Sequence, residues 1–346
     1  MNTPYTTENS ENLRESPGIG LALGAGMARG FAHIGVLKVM ERHGIRPTVL
    51  SGTSMGSLVG ASYLSGKLHE LEDWARSLNR KRLLSYMDLS FRSPGLITGK
   101  KLFELLEHNF GDMRIEELPH SFTIVAADLA TGHEIWLREG NLVQAMKASF
   151  AVPGIFAPVE INHRFLVDGA LVNPCPISVS QALGARMTIA IDLHADMIGK
   201  ATKPGNNFQS VAGFDLFDEN QVPAEQQKPF ISNPFAIKMF DREPGAPSLF
   251  GVMVSSLGII QDRLTRSRLA GDPPDIHIKP MLGHIGMLEF EKADDLIRIG
   301  EEAAEKMIPD IKAGIRLFIP PTERPGYTPP DDVPSQEDEI IDDNLF

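Results

Sequence analysis

Gly52-Thr53-Ser54-Met55-Gly56 places a serine between two glycines in the order G-x-S-x-G, and its surroundings give the pattern weight. TVLSGT before it reads as a strand, and SMGSLVGASYLSG after it as a helix. A serine on so sharp a strand-to-helix turn has its Oγ lifted off the sheet edge, while Gly52 and Gly56 remove the Cβ atoms that would meet the adjoining strand and helix. The chemistry this serves is attack on an acyl carbonyl, with the Met55 amide, at a helix N-terminus, able to face a developing oxyanion. The plainer reading of the same residues is a tight turn with a capping serine.

One helix earlier, Gly24-Ala25-Gly26-Met27-Ala28-Arg29-Gly30 lies between the strand IGLALG and the next helical run. Its free amides should face the carboxyl end of a sheet, where something negative is expected. A dinucleotide would call for an acidic ribose ligand about 20 residues on, at the end of the second strand. The serine turn occupies that place. An oxyanion hole explains both motifs together. Arg29, a cation at a helix start, either pins the loop or makes a surface ion pair.

A serine hydroxyl is a poor nucleophile without a base. The chain has ten histidines, none in a distinctive motif; His194, just after a strand, is the candidate for a Ser-His-Asp arrangement. Asp168, in FLVDGALVNPCP, ends an apolar strand before Gly169 and a proline-bounded turn. Partial burial there would raise its pKa toward the working range of a base. A turn-forming Asp-Gly is the competing role.

These groups need a frame. Strand, glycine loop, helix, strand, sharp turn, helix from residue 19 onward indicate an α/β fold with a parallel sheet. Phe31, Ile34, Leu37 and Met40 recur at helical spacing, and Gly44 and Pro47 stop that helix. SFTIVAADL reads as a buried strand, EIWLRE as its hairpin partner across Thr131-Gly132, NLVQAMKAS as a helix capped by Asn141, and RMTIAIDL as a further buried strand. Residues 200–250 break the texture: Gly, Pro, Asn and Gln abound, yet seven of the chain's 18 phenylalanines lie there, as in a disordered insert, a lid or a partner contact. The helix SLFGVMVSSLGIIQDRLTRSRLA, the strand DIHIKP and a helix from about 289 to 314 follow. The simplest organisation is a disordered segment over 1–16, one catalytic domain over 17–320 and an acidic disordered tail over 321–346.

With 346 residues, 42% hydrophobic and 23% charged, the chain has enough apolar material for a sizeable core. Of its net charge of -12, seven acidic residues fall within 331–346. No basic stripe with interleaved aromatics points to nucleic acid. A single cysteine, Cys175, excludes an intrachain disulfide framework. No leader and no membrane-length apolar run is read, so a cytoplasmic location is expected, with peripheral membrane contact through the aromatic-rich stretch or a homodimer contact as its possible partners.

Taken together and in order, GLALGAGMARGFAHIGVL, SGTSMGSLVGASYLSG and LVDGALVNPCPI resemble the blocks of bacterial patatin-like phospholipases; IVAADLATGHEIWLREGNLVQAMKASFAVPGIFAPV and QDRLTRSRLAGDPPDIHIKP extend the resemblance over roughly 18–315. It implies a three-layer α/β/α sandwich with a mostly parallel central sheet, and a lipid acyl hydrolase that uses no metal or other cofactor. It further implies a Ser-Asp dyad of Ser54 and Asp168 and an oxyanion hole at Gly26, Met27 and Ala28, with Arg29 as the motif's basic residue and Gly24, Gly30, Gly52, Gly56 and Gly169 in support. An acyltransferase using the same acyl-serine, or a non-catalytic regulator on the same fold, are the alternatives.

Overall fold

The parallel order expected from the strand-helix alternation is present at the centre of the sheet, and the chain reverses direction only at one side. The computed structural model describes residues 18–86, 97–196 and 249–321. The terminal segments and nearly all of the aromatic-rich stretch lie outside the described residues. Strands β1 (Ile19–Leu23), β2 (Val49–Thr53), β3 (Ser121–Asp128), β7 (Met187–Ile191) and β8 (Ile276–Ile278) are joined by parallel pairings β3-β2-β1-β7-β8. Antiparallel to β3 run β4 (Glu134–Leu137) and β6 (Arg164–Asp168), and β5 (Val159–Ile161) pairs with β6. Helices α1 (Ala32–Arg42), α2 (Met55–Leu64), α3 (Leu68–Arg76), α4 (Arg80–Tyr86), α5 (Lys100–Phe110), α6 (Leu142–Phe150), α7 (Ile177–Ala182), α8 (Leu249–Gly271) and α9 (Ala293–Phe318) pack around it.

Strand residues alternate between two unlike faces. Leu21, Leu23, Leu50, Ile124, Ile189 and Ile191 point to the large core built with α1, α2 and α9. Ala22 and Ala190 point the other way, against Cys175 and Ile177. On that second face β2 presents hydroxyls: Ser51 Oγ donates to the Pro176 carbonyl at 2.8 Å, and Thr53 Oγ1 to the Asn173 carbonyl at 2.8 Å. These bonds tie the chain that follows β6 onto the strand that carries Ser54. Small and polar residues, useless for an apolar core, here let a non-helical segment lie close and supply its carbonyls with donors.

Several elements depart from the expectations. The closing helix begins at Ala293, after a short 3-10 turn at Phe290–Lys292, and continues through Pro309 to Phe318. Helices α3, α4 and α5 and the β5-β6 hairpin were not anticipated. The hairpin turns at Asn162 and His163, both with positive φ, without any glycine to announce it.

Candidate functional site

The register around β3 explains how residues 114 positions apart meet. Ala126 pairs with both Ile135 of β4 and Asp168 of β6, while Ile124 pairs with both Leu137 of β4 and Gly52 of β2. A strand has two edges, so β2 and β6 share one edge of β3, running toward each other. β2 ends with Thr53 opposite Val125 and β6 ends with Asp168 opposite Ala126. The next residue after β2 is Ser54, and its Oγ donates to Asp168 Oδ2 at 2.8 Å.

Ser54 holds φ 54° and ψ -122°, a conformation that costs a non-glycine residue on the order of 1–3 kcal/mol. Three bonds hold it there. Ser149 Oγ accepts the Ser54 amide at 2.8 Å and donates to the Val125 carbonyl at 2.7 Å, and Ser57 Oγ donates to the Ser54 carbonyl at 2.6 Å. Gly56 is needed because a Cβ there would run into the Leu23 carbonyl. Asp168 divides its two oxygens: Oδ1 accepts the Ala170 amide at 2.8 Å, capping the turn Gly169–Leu171, while Oδ2 takes Ser54. The turn-forming and the Ser54-binding roles therefore coexist in one carboxylate. With Asp168 only 2% exposed, burial raises its pKa to about 7, against the lowering effect of the bonds from Ala170 and Ser54.

Across from this pair the glycine loop closes over the start of α2. Met27 has φ 49° and begins a 3-10 turn over Met27–Phe31. A Cβ on Gly30 would collide with the Met55 side chain, so the loop's approach to the serine turn depends on glycine at that position. Arg29 is fully buried, and its Nε and Nη2 both donate to the Ile285 carbonyl, at 2.9 and 2.6 Å. Burial lowers its pKa to about 10, and the negative charges of Asp196 and Glu289 work against that shift. His33 Nε2 bonds the Gly24 carbonyl at 2.7 Å; its burial lowers the pKa to about 4, leaving a neutral ring that donates.

Residues 21–180 match the profile of the patatin-like phospholipase family. An uncharacterised NTE family protein of Mycobacterium tuberculosis is 32% identical over 336 residues, covering 85% of this chain and 92% of that one. The chain belongs to the patatin-like phospholipase family. Lysophospholipase NTE1 of Yarrowia lipolytica is 26% identical over 85% of this chain and 20% of its own length. Patatin-like phospholipase domain-containing protein 6 of Homo sapiens is 31% identical over 51% of this chain and 13% of its own.

Within this family member the three amides expected at an oxyanion hole differ in their bonding. Ala28 N donates to the Met287 carbonyl at 3.0 Å, whereas Gly26 N and Met27 N have no acceptor among the described residues. The lone alanine amide is spent on holding residues 285–287, the same segment that Arg29 grips. At the other side, Met55 is the first residue of α2, so its N-H has no partner within the helix. His194 is buried and neutral, its pKa lowered to about 4 chiefly by burial, and its own amide donates to Asp192 Oδ1 at 2.9 Å. The hydroxyl of Ser54 is directed to Asp168. The residues that sequence reasoning missed are Ser149 and His33. Each is a polar side chain on the buried, otherwise apolar face of its helix, and that misfit was the available signal.

No described helix is long and apolar enough to cross a membrane.

Proposed function

We propose that this protein hydrolyses acyl esters of lipids through a Ser54-Asp168 dyad. The observation that carries the reading is the 2.8 Å bond from Ser54 Oγ to Asp168 Oδ2, made by a serine held at positive φ at the start of a helix. Membership of the patatin-like phospholipase family, and a relative named as a lysophospholipase, support lipid esters as the substrate class.

In the proposed cycle Ser54 Oγ attacks the acyl carbonyl carbon as its proton passes to Asp168 Oδ2. The carbonyl oxygen becomes an oxyanion facing the Gly26, Met27 and Met55 amides. Collapse of this intermediate breaks the ester bond, and Asp168 returns its proton to the leaving alcohol. Water then gives a proton to Asp168 and adds to the acyl-serine; the second intermediate expels Ser54, which recovers that proton. A base with a pKa of about 7 is matched to neutral pH, strong enough to take the proton in flight and weak enough to return it.

The test is p-nitrophenyl ester hydrolysis by folded variants. Ser54→Ala and Asp168→Asn should each abolish turnover, and His194→Ala should retain it within about ten-fold. Full activity in Asp168→Asn, or abolition by His194→Ala in a folded protein, would replace the dyad with a histidine mechanism.

A further inference from the structure

A half-open cavity of about 190 Å³ lies apart from Ser54 and Asp168, between α2, α3 and α5. Its walls include Leu58, Leu71, Trp74, Leu102 and Leu106. At roughly 30 Å³ each, it has room for about six groups the size of a water or methylene.

The cavity is graded along its length. At one end Leu58 sits one turn of α2 after Ser54, and Trp74 packs on Phe31, which follows the glycine loop, so this end is apolar. At the other end Lys67, Glu70 and Asn109 form the rim, beside Ser62, whose carbonyl accepts the Lys67 amide at 2.7 Å. Ser62 is 1% exposed, and its Oγ has no hydrogen-bond partner among the described residues. A buried hydroxyl without a partner is unfavourable, and a helical serine ordinarily avoids that by bonding a carbonyl one turn back. An acceptor at this end of the cavity would satisfy it, and Lys67 makes an anionic acceptor the better match.

We propose that this cavity is a second ligand site, taking one short-chain fatty acid of about six carbons. Its carboxylate accepts from Ser62 Oγ and pairs with Lys67, and its chain lies among the leucines with the methyl end at Trp74. The choice of fatty acid rests on the proposed hydrolysis, of which it is a product; the site itself rests on the cavity and the unpartnered hydroxyl.

The protein has two tryptophans, so Trp136→Phe leaves Trp74 as the only reporter. In Trp136→Phe/Ser54→Ala protein, 6-bromohexanoic acid should quench Trp74 saturably, and more strongly than its 2-bromo isomer. Ser62→Leu, which fills the polar end and removes the hydroxyl, should weaken binding by about ten-fold or more. Leu105→Phe, a second plug at a half-buried lining position, should do the same, with each variant's melting curve showing that it folds. Absence of saturable quenching, or quenching indifferent to both folded plugs, overturns the site. Because the nucleophile is absent, ester turnover does not enter. Failure here with esterase activity intact removes this site alone, whereas binding in a chain that hydrolyses no ester keeps the site and removes the catalytic reading.

Discussion

Replacing Asp168 with asparagine is expected to stabilise the fold at the same time as it removes activity, and the gain follows from burial. Asp168 is 2% exposed, and desolvation raises its pKa from 3.8 to about 7. Between those values the folded protein keeps a proton that the unfolded chain has released. Stability therefore falls as pH rises from about 4 to about 7, and levels off above the folded pKa. Roughly three pKa units, at about 1.36 kcal/mol each, amount to about 4 kcal/mol of destabilisation at pH 8. Asparagine carries no charge to desolvate. Asp168→Asn should accordingly melt higher than wild type at about pH 8, by on the order of 8 °C for a chain of this size. Thermal unfolding followed by circular dichroism from about pH 5 to about pH 8 checks this, with the gap widening upward and flattening beyond about pH 7. A gap that is absent at pH 8, or that widens toward acid, would refute the argument that burial sets the carboxyl's affinity for protons.

The same shift governs rate with the opposite sign. Because the base must be ionised, kcat/KM for an activated ester should rise about ten-fold per pH unit below about 7 and level off above it, where an ordinary aspartate would give a flat profile from about pH 5. Ser149→Ala strands the Ser54 amide and the Val125 carbonyl, so a loss of about 2 kcal/mol or more in denaturant unfolding is expected, together with slower turnover from a serine no longer held in place. Gly30→Ala drives a methyl group into Met55; a stability loss of about 1–3 kcal/mol should accompany a larger fall in kcat than in substrate affinity, because the glycine loop is pushed off the serine turn.

The β1-loop-α1-β2-turn-α2 unit was legible because each step has local chemistry: apolar runs of strand length, glycines where the backbone must turn or approach, and helical spacing over Phe31 to Met40. Asp168 was legible as a residue at a strand end. Its partnership with Ser54 was not, since it depends on β2 and β6 meeting along one edge of β3, and no local pattern encodes a meeting at Val125 and Ala126. The expectation of Ala28 as an oxyanion donor rested on the family resemblance. Its amide is bonded to Met287, a residue some 260 positions away that nothing local identifies. Helices α3 and α5 carry amphipathic periodicity that was legible and went unread. The hairpin turn at Asn162 and His163 lacks the glycine that usually marks such a turn.

The most direct measurement is covalent labelling with a fluorophosphonate, mapped by peptide mass spectrometry. A single adduct on Ser54 in the wild-type protein is expected, absent in Ser54→Ala and slowed by about a hundred-fold or more in folded Asp168→Asn. Folded wild-type protein that takes no label at Ser54, or Asp168→Asn protein labelled at the wild-type rate, would contradict the assignment of Ser54 as a nucleophile activated by Asp168.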